Sequence, residues 1–186
     1  MFLDIGVGIL ASLFVAHLYG LGLSLAFILG GIFFSLLMDA DFVIHFAKGG
    51  TYNTGYRHRN LLHYPLLYIP IGMVVIGFFN HSWAILFAIC SFFHFVHDSI
   101  GVGWDVQWLY PFDNRHFTLF YRYTSPIKEK LPRQFLYIWK HEDIDALAKR
   151  YGDEHWIRNM YFKLHPYALV EYAVFIVSLV VLYFYI

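Results

Sequence analysis

The sequence predicts an all-α fold, a polytopic membrane bundle of about five short transmembrane helices with a cytoplasmic amphipathic helical segment. Three observations lead there. Hydrophobic residues make up 59% of the 186-residue chain and charged residues only 14%, with a mean hydropathy of +0.54; an average soluble domain carries roughly 25% charged residues. Charge is also excluded from long blocks instead of being scattered. Finally, the 13 Lys and Arg residues all fall in two stretches between those blocks. The same composition excludes other classes. One cysteine cannot build a disulfide scaffold, and 13 basic residues cancelled by 13 acidic ones give no global field for nucleic acid.

The elements follow in order. No Asp, Glu, Lys or Arg occurs from Ile5 to Met38. A single helix of that length would be roughly 50 Å long, against a hydrocarbon core of about 30 Å. The block therefore folds back on itself, and Tyr19-Gly20-Leu21-Gly22 is the natural turn. This gives helices over 4–19 and 22–41. The start, Met1-Phe2-Leu3-Asp4, has neither a basic region nor a small-residue cleavage site, so the first helix is expected to remain as an anchor. A second charge-free block, Asn60 to His97, is broken at Asn80-His81-Ser82 and predicts helices over 63–79 and 82–99, the first with Asn60 as a plausible N-cap. Cys90 lies inside the latter and reads as a small buried hydrophobe. The last apolar run, 165–186, carries only Glu171.

Lys48, Arg57 and Arg59 lie between the second and third helices, and the other ten basic residues, Arg115 to Lys163, between the fourth and fifth. Basic loops face the cytoplasm. The N-terminus is then cytoplasmic and the C-terminus extracytoplasmic. Residues 1–112 form the membrane core, 113–164 a cytoplasmic or interfacial helical segment, and 165–186 the final span. Within the segment, Glu142 to Tyr151 and Asp153 to Phe162 read as two amphipathic helices parted at Gly152, with Asp153 as N-cap. Its mixture of basic and aromatic residues suits either the leaflet surface or a solvated cap on the bundle.

Ionisable groups at membrane depth call for a reason. Four helix ends bring them to one cytoplasmic rim: Asp4; Asp39 and Asp41; His58 and His63; and His94, His97 and Asp98. Imidazole with carboxylate is the ligand chemistry of zinc, and also of manganese or iron. His94 and Asp98, at i and i+4, share a helical face. His97 turns away and could support a ligand from behind. Asp39 and Asp41, at i and i+2, meet one ion only if the helix frays there; otherwise they serve two ions. Arg59 is either a phosphate clamp or a positive-inside anchor. His17, His81, His116, His141, His155 and His165 read as structural or solvated. His45, Asp105 and Glu171 could join the site or stand beside it.

Three motifs carry a family resemblance. Asp39-Ala40-Asp41 closes the second hydrophobic segment. His58-Arg59-Asn60-Leu61-Leu62-His63 follows, then His94-Phe95-Val96-His97-Asp98 leading to Leu109-Tyr110-Pro111-Phe112. In order and spacing, residues 1–112 resemble the inner-membrane-associated metal-dependent hydrolases, also described as LexA-binding membrane hydrolases. Met38 and Phe42 stand where that family usually has Pro and His. Leu62 replaces a usual Thr, and Asp4 falls near a common N-terminal His. The resemblance extends distantly to zinc phospholipase C and P1 nuclease, and implies a zinc-dependent phosphoester hydrolase of a prokaryotic inner membrane. On this reading Asp4, Asp39, Asp41, His58, His63, His94, His97 and Asp98 are metal ligands. Asp41 or Asp98 takes a proton from water, and Arg59 holds a phosphoryl oxygen. The expected partners are the lipid bilayer and a phospholipid substrate, with no nucleic acid; a protein partner is unknown. A metal-ion or proton transporter, and a non-catalytic scaffold stapled by metal, are the alternatives.

Overall fold

The computed structural model describes residues 1–50, 62–101 and 106–186. The protein is mostly helical, with seven α-helices and one two-stranded sheet among the described residues. The helices are α1 (Phe2–Leu18), α2 (Leu25–Leu36), α3 (Ala40–Ala47), α4 (Pro65–Gly77), α5 (His81–Asp98), α6 (Ile144–Tyr151) and α7 (Pro166–Tyr185). The strands are β1 (His116–Leu119) and β2 (Leu136–Trp139). The chain divides into two compact units. The first comprises Met1–Ala40, Leu67–His94 and Pro166–Ile186, and the second Asp41–Leu66 and Phe95–His165.

The first unit is a helical bundle held by small residues and apolar side chains. Gly8 of α1 lies against the backbone of α2, where a Cβ would come to 2.7 Å from the Gly31 carbonyl oxygen. Gly6 similarly approaches Phe175 of α7. Such contacts let helix backbones come close where lipid offers no hydrophobic drive to pair them. Ser12 is buried in this seam and donates to the Gly8 carbonyl at 2.8 Å and to the Phe27 carbonyl at 3.1 Å. Ala11, Val15, Ala16, Phe27, Leu86 and the buried thiol of Cys90 form one core cluster; Ile9, Leu13 and Ile28 form another with Leu182. Both sequence-predicted turns are present. Gly20 adopts φ +60, and Ser24 caps α2 by accepting from the Phe27 amide. At the second turn the Asn80 carboxamide oxygen accepts from the Ser82 amide and hydroxyl and from the Trp83 amide. Pro65 begins α4, a position that needs no amide donor; the helix expected from 63 starts there.

Two stretches are long and apolar enough to cross a membrane: Leu25–Ala47, of 23 residues, and Pro166–Tyr185, of 20. Phe2–Leu18 and Pro65–Gly77 are apolar but shorter. The first stretch is not uniform, since a 3-10 turn at Leu37–Asp39 separates α2 from α3. The second helix was expected to end near 41; it runs on to Ala47.

The second unit corrects the reading of 113–164 as purely helical. β1 and β2 pair antiparallel, with His116 opposite Trp139 and Leu119 opposite Leu136. Their buried face holds His116, Thr118 and Tyr137. β-branched and aromatic residues suit a pleated surface, and that preference outweighs any helical pattern here. α6 confirms an amphipathic helix: Ile144 and Tyr151 are buried, packing with Leu147 and Ala148 against Leu131 and Trp139. The second amphipathic helix, expected over 153–162, is absent. A turn and a single π-helical turn at Arg158–Phe162 stand in its place. Asp153 organises that turn, accepting from the His155 amide, the Asn159 carboxamide and the Tyr123 hydroxyl at 2.7–2.9 Å.

Candidate metal centre

The 3-10 turn after α2 decides where the two acids of Asp39-Ala40-Asp41 go. Regular α-helical geometry would already splay side chains two residues apart. The tightened turn sets Asp39 at the end of the first unit and Asp41 at the start of the second, each with a different imidazole. Of the two arrangements open for this pair, they do not share a histidine.

In the first unit the imidazole is His94 of α5, which is buried. Its Nδ1 lies 3.2 Å from Asp4 Oδ1 of α1, and its Nε2 lies 3.7 Å from Asp39 Oδ1. The second distance exceeds hydrogen-bond length. It matches the gap between two donor atoms that each sit about 2.1 Å from one ion. Asp4 is buried, whereas Asp39 keeps 44% of its side chain exposed. Glu171 of α7 is buried as well; the Met1 amine stands 3.4 Å from its carboxylate and 2.8 Å from that of Asp4. Glu171 therefore faces the Asp4 side of the bundle.

In the second unit the imidazole is His63, also buried. Nδ1 meets Asp41 Oδ2 and Nε2 meets Asp98 Oδ2, both at 2.9 Å. Asp41 Oδ2 accepts from the Leu62 amide too, at 3.3 Å. Phe95, itself fully buried, packs edge-on to the His63 ring and to Trp108. The Trp108 indole donates to Ser99 at 2.7 Å. The residues after the third motif thus wrap around its histidine-facing end: Tyr110 stacks on Tyr64, the neighbour of His63, at 4.2 Å.

Each cluster has the same composition, an imidazole with a carboxylate at either nitrogen. Two acids facing one histidine leave negative charge even when the imidazole is protonated, and buried charge has to be compensated. A dication would compensate it with the ligand types that zinc, manganese and iron accept. A carboxylate on the far nitrogen of a ligating histidine is also the arrangement that orients such a ligand. Asp39, His63 and His94 are a donor set that could hold a metal ion.

The other expected residues distribute as follows. Asp98 and His94 sit one turn apart on α5 and engage different partners, Asp98 with His63 and His94 with Asp4 and Asp39. His97 occupies the last turn of the same helix. His58, Arg59, Asn60 and Asp105 lie outside the described residues. His45 belongs to α3, packed beside Phe46 and Gly50. His116, read as structural or solvated, is buried, with Nε2 2.9 Å from His141 Nδ1. Sequence reasoning left Glu171 undecided. The single acid in an otherwise apolar run was the available signal, and its burial beside Asp4 is what that signal meant.

The family model for the YdjM inner membrane protein matches residues 4–185. No curated protein and no solved structure matches the chain.

Proposed function

The chain belongs to the YdjM inner membrane protein family, and on that premise we propose that it is a membrane-embedded, metal-dependent hydrolase. Its substrate is a phosphoester, a phospholipid headgroup above all, at the cytoplasmic face of the inner membrane. One observation carries this reading: carboxylates outnumber imidazoles in both buried clusters, around His63 and around His94. Zinc is the ion best suited to such a set, with manganese and iron as substitutes.

A divalent ion held by Asp4, Asp39, His63 and His94, with His58 and His97 as further donors, supplies a Lewis acid and a water whose pKa falls toward about 7. The chain's own groups do the rest. Asp41 and Asp98 fix the His63 ring from both sides, and whichever of them is not a ligand takes the proton of the attacking water. Arg59 holds a nonbridging phosphoryl oxygen by paired hydrogen bonds. Helices α1, α2 with α3, α4, α5 and α7 supply five membrane-embedded segments, and their helix-end acids and histidines lie at headgroup depth, where a lipid phosphoester already is.

The test is metal content per chain in protein purified in mild detergent, beside Asp39→Ala and His94→Ala. Stoichiometric zinc, manganese or iron in the parent, lost in both variants, is the expected result; turnover of phospholipid or model phosphodiesters should follow the metal. A folded parent that stays metal-free after reloading would falsify the proposal. The Asp41–His63–Asp98 chain, with 2.9 Å on both sides of one imidazole, favours a proton transporter as the second reading. Dissipation of a pH gradient in proteoliposomes, abolished by His63→Ala, would select it.

A further inference from the structure

In the second unit the face of the β1–β2 hairpin opposite His116, Thr118 and Tyr137 is made of Phe117, Leu119, Leu136 and Ile138. They alternate with the buried residues along each strand and stand opposite one another in the register. Phe120 and Phe135 extend this face, their rings meeting edge to face at 4.6 Å. Phe135 is 71% exposed, Phe120 55%, Ile138 44% and Leu136 39%. A contiguous apolar patch of this kind marks an interaction surface in a folded protein. Phe120 also holds φ +57, a backbone state that bulky L-residues rarely occupy.

What covers the face is indicated by the residue after Phe120. The ring of Tyr121 lies parallel to that of His165, with its hydroxyl 3.3 Å from Nε2. His165 directly precedes Pro166, where the 20-residue apolar helix α7 begins. The end of β1 is therefore tied to the point at which the chain enters hydrocarbon. Arg133 and Lys140 flank β2, and Lys163 stands two residues before His165. Lysine and arginine near a membrane surface are drawn to anionic headgroups, and aromatic side chains favour the interfacial layer.

We propose that the β1–β2 face is seated in the interfacial layer of the leaflet that α7 enters, with anionic phospholipid as its occupant. The hairpin is then a second membrane contact, shallow and non-spanning, made by a part of the chain with too few residues per strand to cross. It needs no metal, so it stands or falls apart from the hydrolase reading.

The experiment places a nitroxide on Phe135→Cys, Leu136→Cys or Ile138→Cys in a Cys90→Ala background. The full chain is reconstituted in nanodiscs of phosphatidylcholine and phosphatidylglycerol, with Glu142→Cys, an exposed position, as reference. Collision rates with oxygen and with a water-soluble nickel chelate are compared. The proposal expects oxygen collisions to rise and chelate collisions to fall several-fold at the three hairpin sites relative to position 142. Chelate access equal to that of the reference at all three sites would show a solvated face and overturn it. Label–label broadening that vanishes on dilution with unlabelled protein, without oxygen enrichment, would show a second copy on the face and overturn it too. Three separate positions guard against one variant that fails to fold.

Discussion

His63 sits in the second unit with a carboxylate on each ring nitrogen, and its removal has a calculable consequence. His63→Ala deletes the donor to Asp41 and to Asp98 and leaves both acids buried in one cluster. Breaking a buried charge pair by removing one partner costs about 3–5 kcal/mol. We expect a loss of that order in metal-free protein, read from denaturant midpoints in detergent, and a smaller one for His63→Gln, which keeps a donor. Asp153 gives a pH-dependent case outside the membrane. Burial pushes its carboxyl up, but hydrogen bonds from Asn159 and Tyr123, the His155 amide and the His155 side chain more than offset this and hold it below the usual range. A depressed carboxyl stabilises the fold above its unfolded value of about 3.9 and loses that contribution as pH falls through the folded value. Asp153→Ala should cost about 2–3 kcal/mol at neutral pH and flatten the acid limb of the stability profile. An unchanged acid limb would show that the three hydrogen bonds are not what holds the turn.

At the level of elements, the close approach of α1 and α2 is the most exposed to change. A Cβ at Gly8 meets backbone, which cannot swing aside. Gly8→Ala should destabilise by about 1–3 kcal/mol, and Gly8→Leu should cost more; thermal melting in detergent reads both. Gly22, with nothing near its missing Cβ, should accept alanine with little effect. These helices were legible because charge exclusion and the turn residues at Gly20 and Asn80 act locally, each within a few positions of the feature it specifies. The hairpin was not. β1 and β2 are four residues each, and residues 120–135 separate them, so no short turn announces the pairing. In 153–162 the spacing of apolar residues looked helical, but Asp153 captures three hydrogen-bond donors and winds the backbone into a turn instead. The candidate site was legible in part. Asp4, Asp39, Asp41, His63, His94 and Asp98 do reach imidazole–carboxylate clusters. Which acid meets which histidine was not, because it depends on the 3-10 turn at Leu37–Asp39, a distortion with no proline or glycine to signal it.

For the whole molecule the open quantity is the number of crossings, and the basic residues make it measurable. Every Lys and Arg lies between Lys48 and Lys163, bounded by the two stretches long enough to span, Leu25–Ala47 and Pro166–Tyr185. If those two alone cross, the positive-inside rule puts the whole intervening chain in the cytoplasm and both termini outside. If α1, α4 and α5 cross as well, the N-terminus moves to the cytoplasm and the Asn80 turn moves outside, while the C-terminus stays outside. A C-terminal reporter therefore cannot separate the two, but the Asn80 turn can. We expect five crossings, because α4 and α5 bracket that turn with a charge-free block running from Asn60 to His97, which water would solvate poorly. His81→Cys in a Cys90→Ala background should then react with a membrane-impermeant maleimide added to intact cells. An N-terminal fluorescent fusion should report a cytoplasmic end. Labelling at position 81 only after permeabilisation, with an external N-terminus, would instead establish two crossings. The short helices α1 and α4 would then have to bury their apolar faces in protein or at the membrane surface rather than across it.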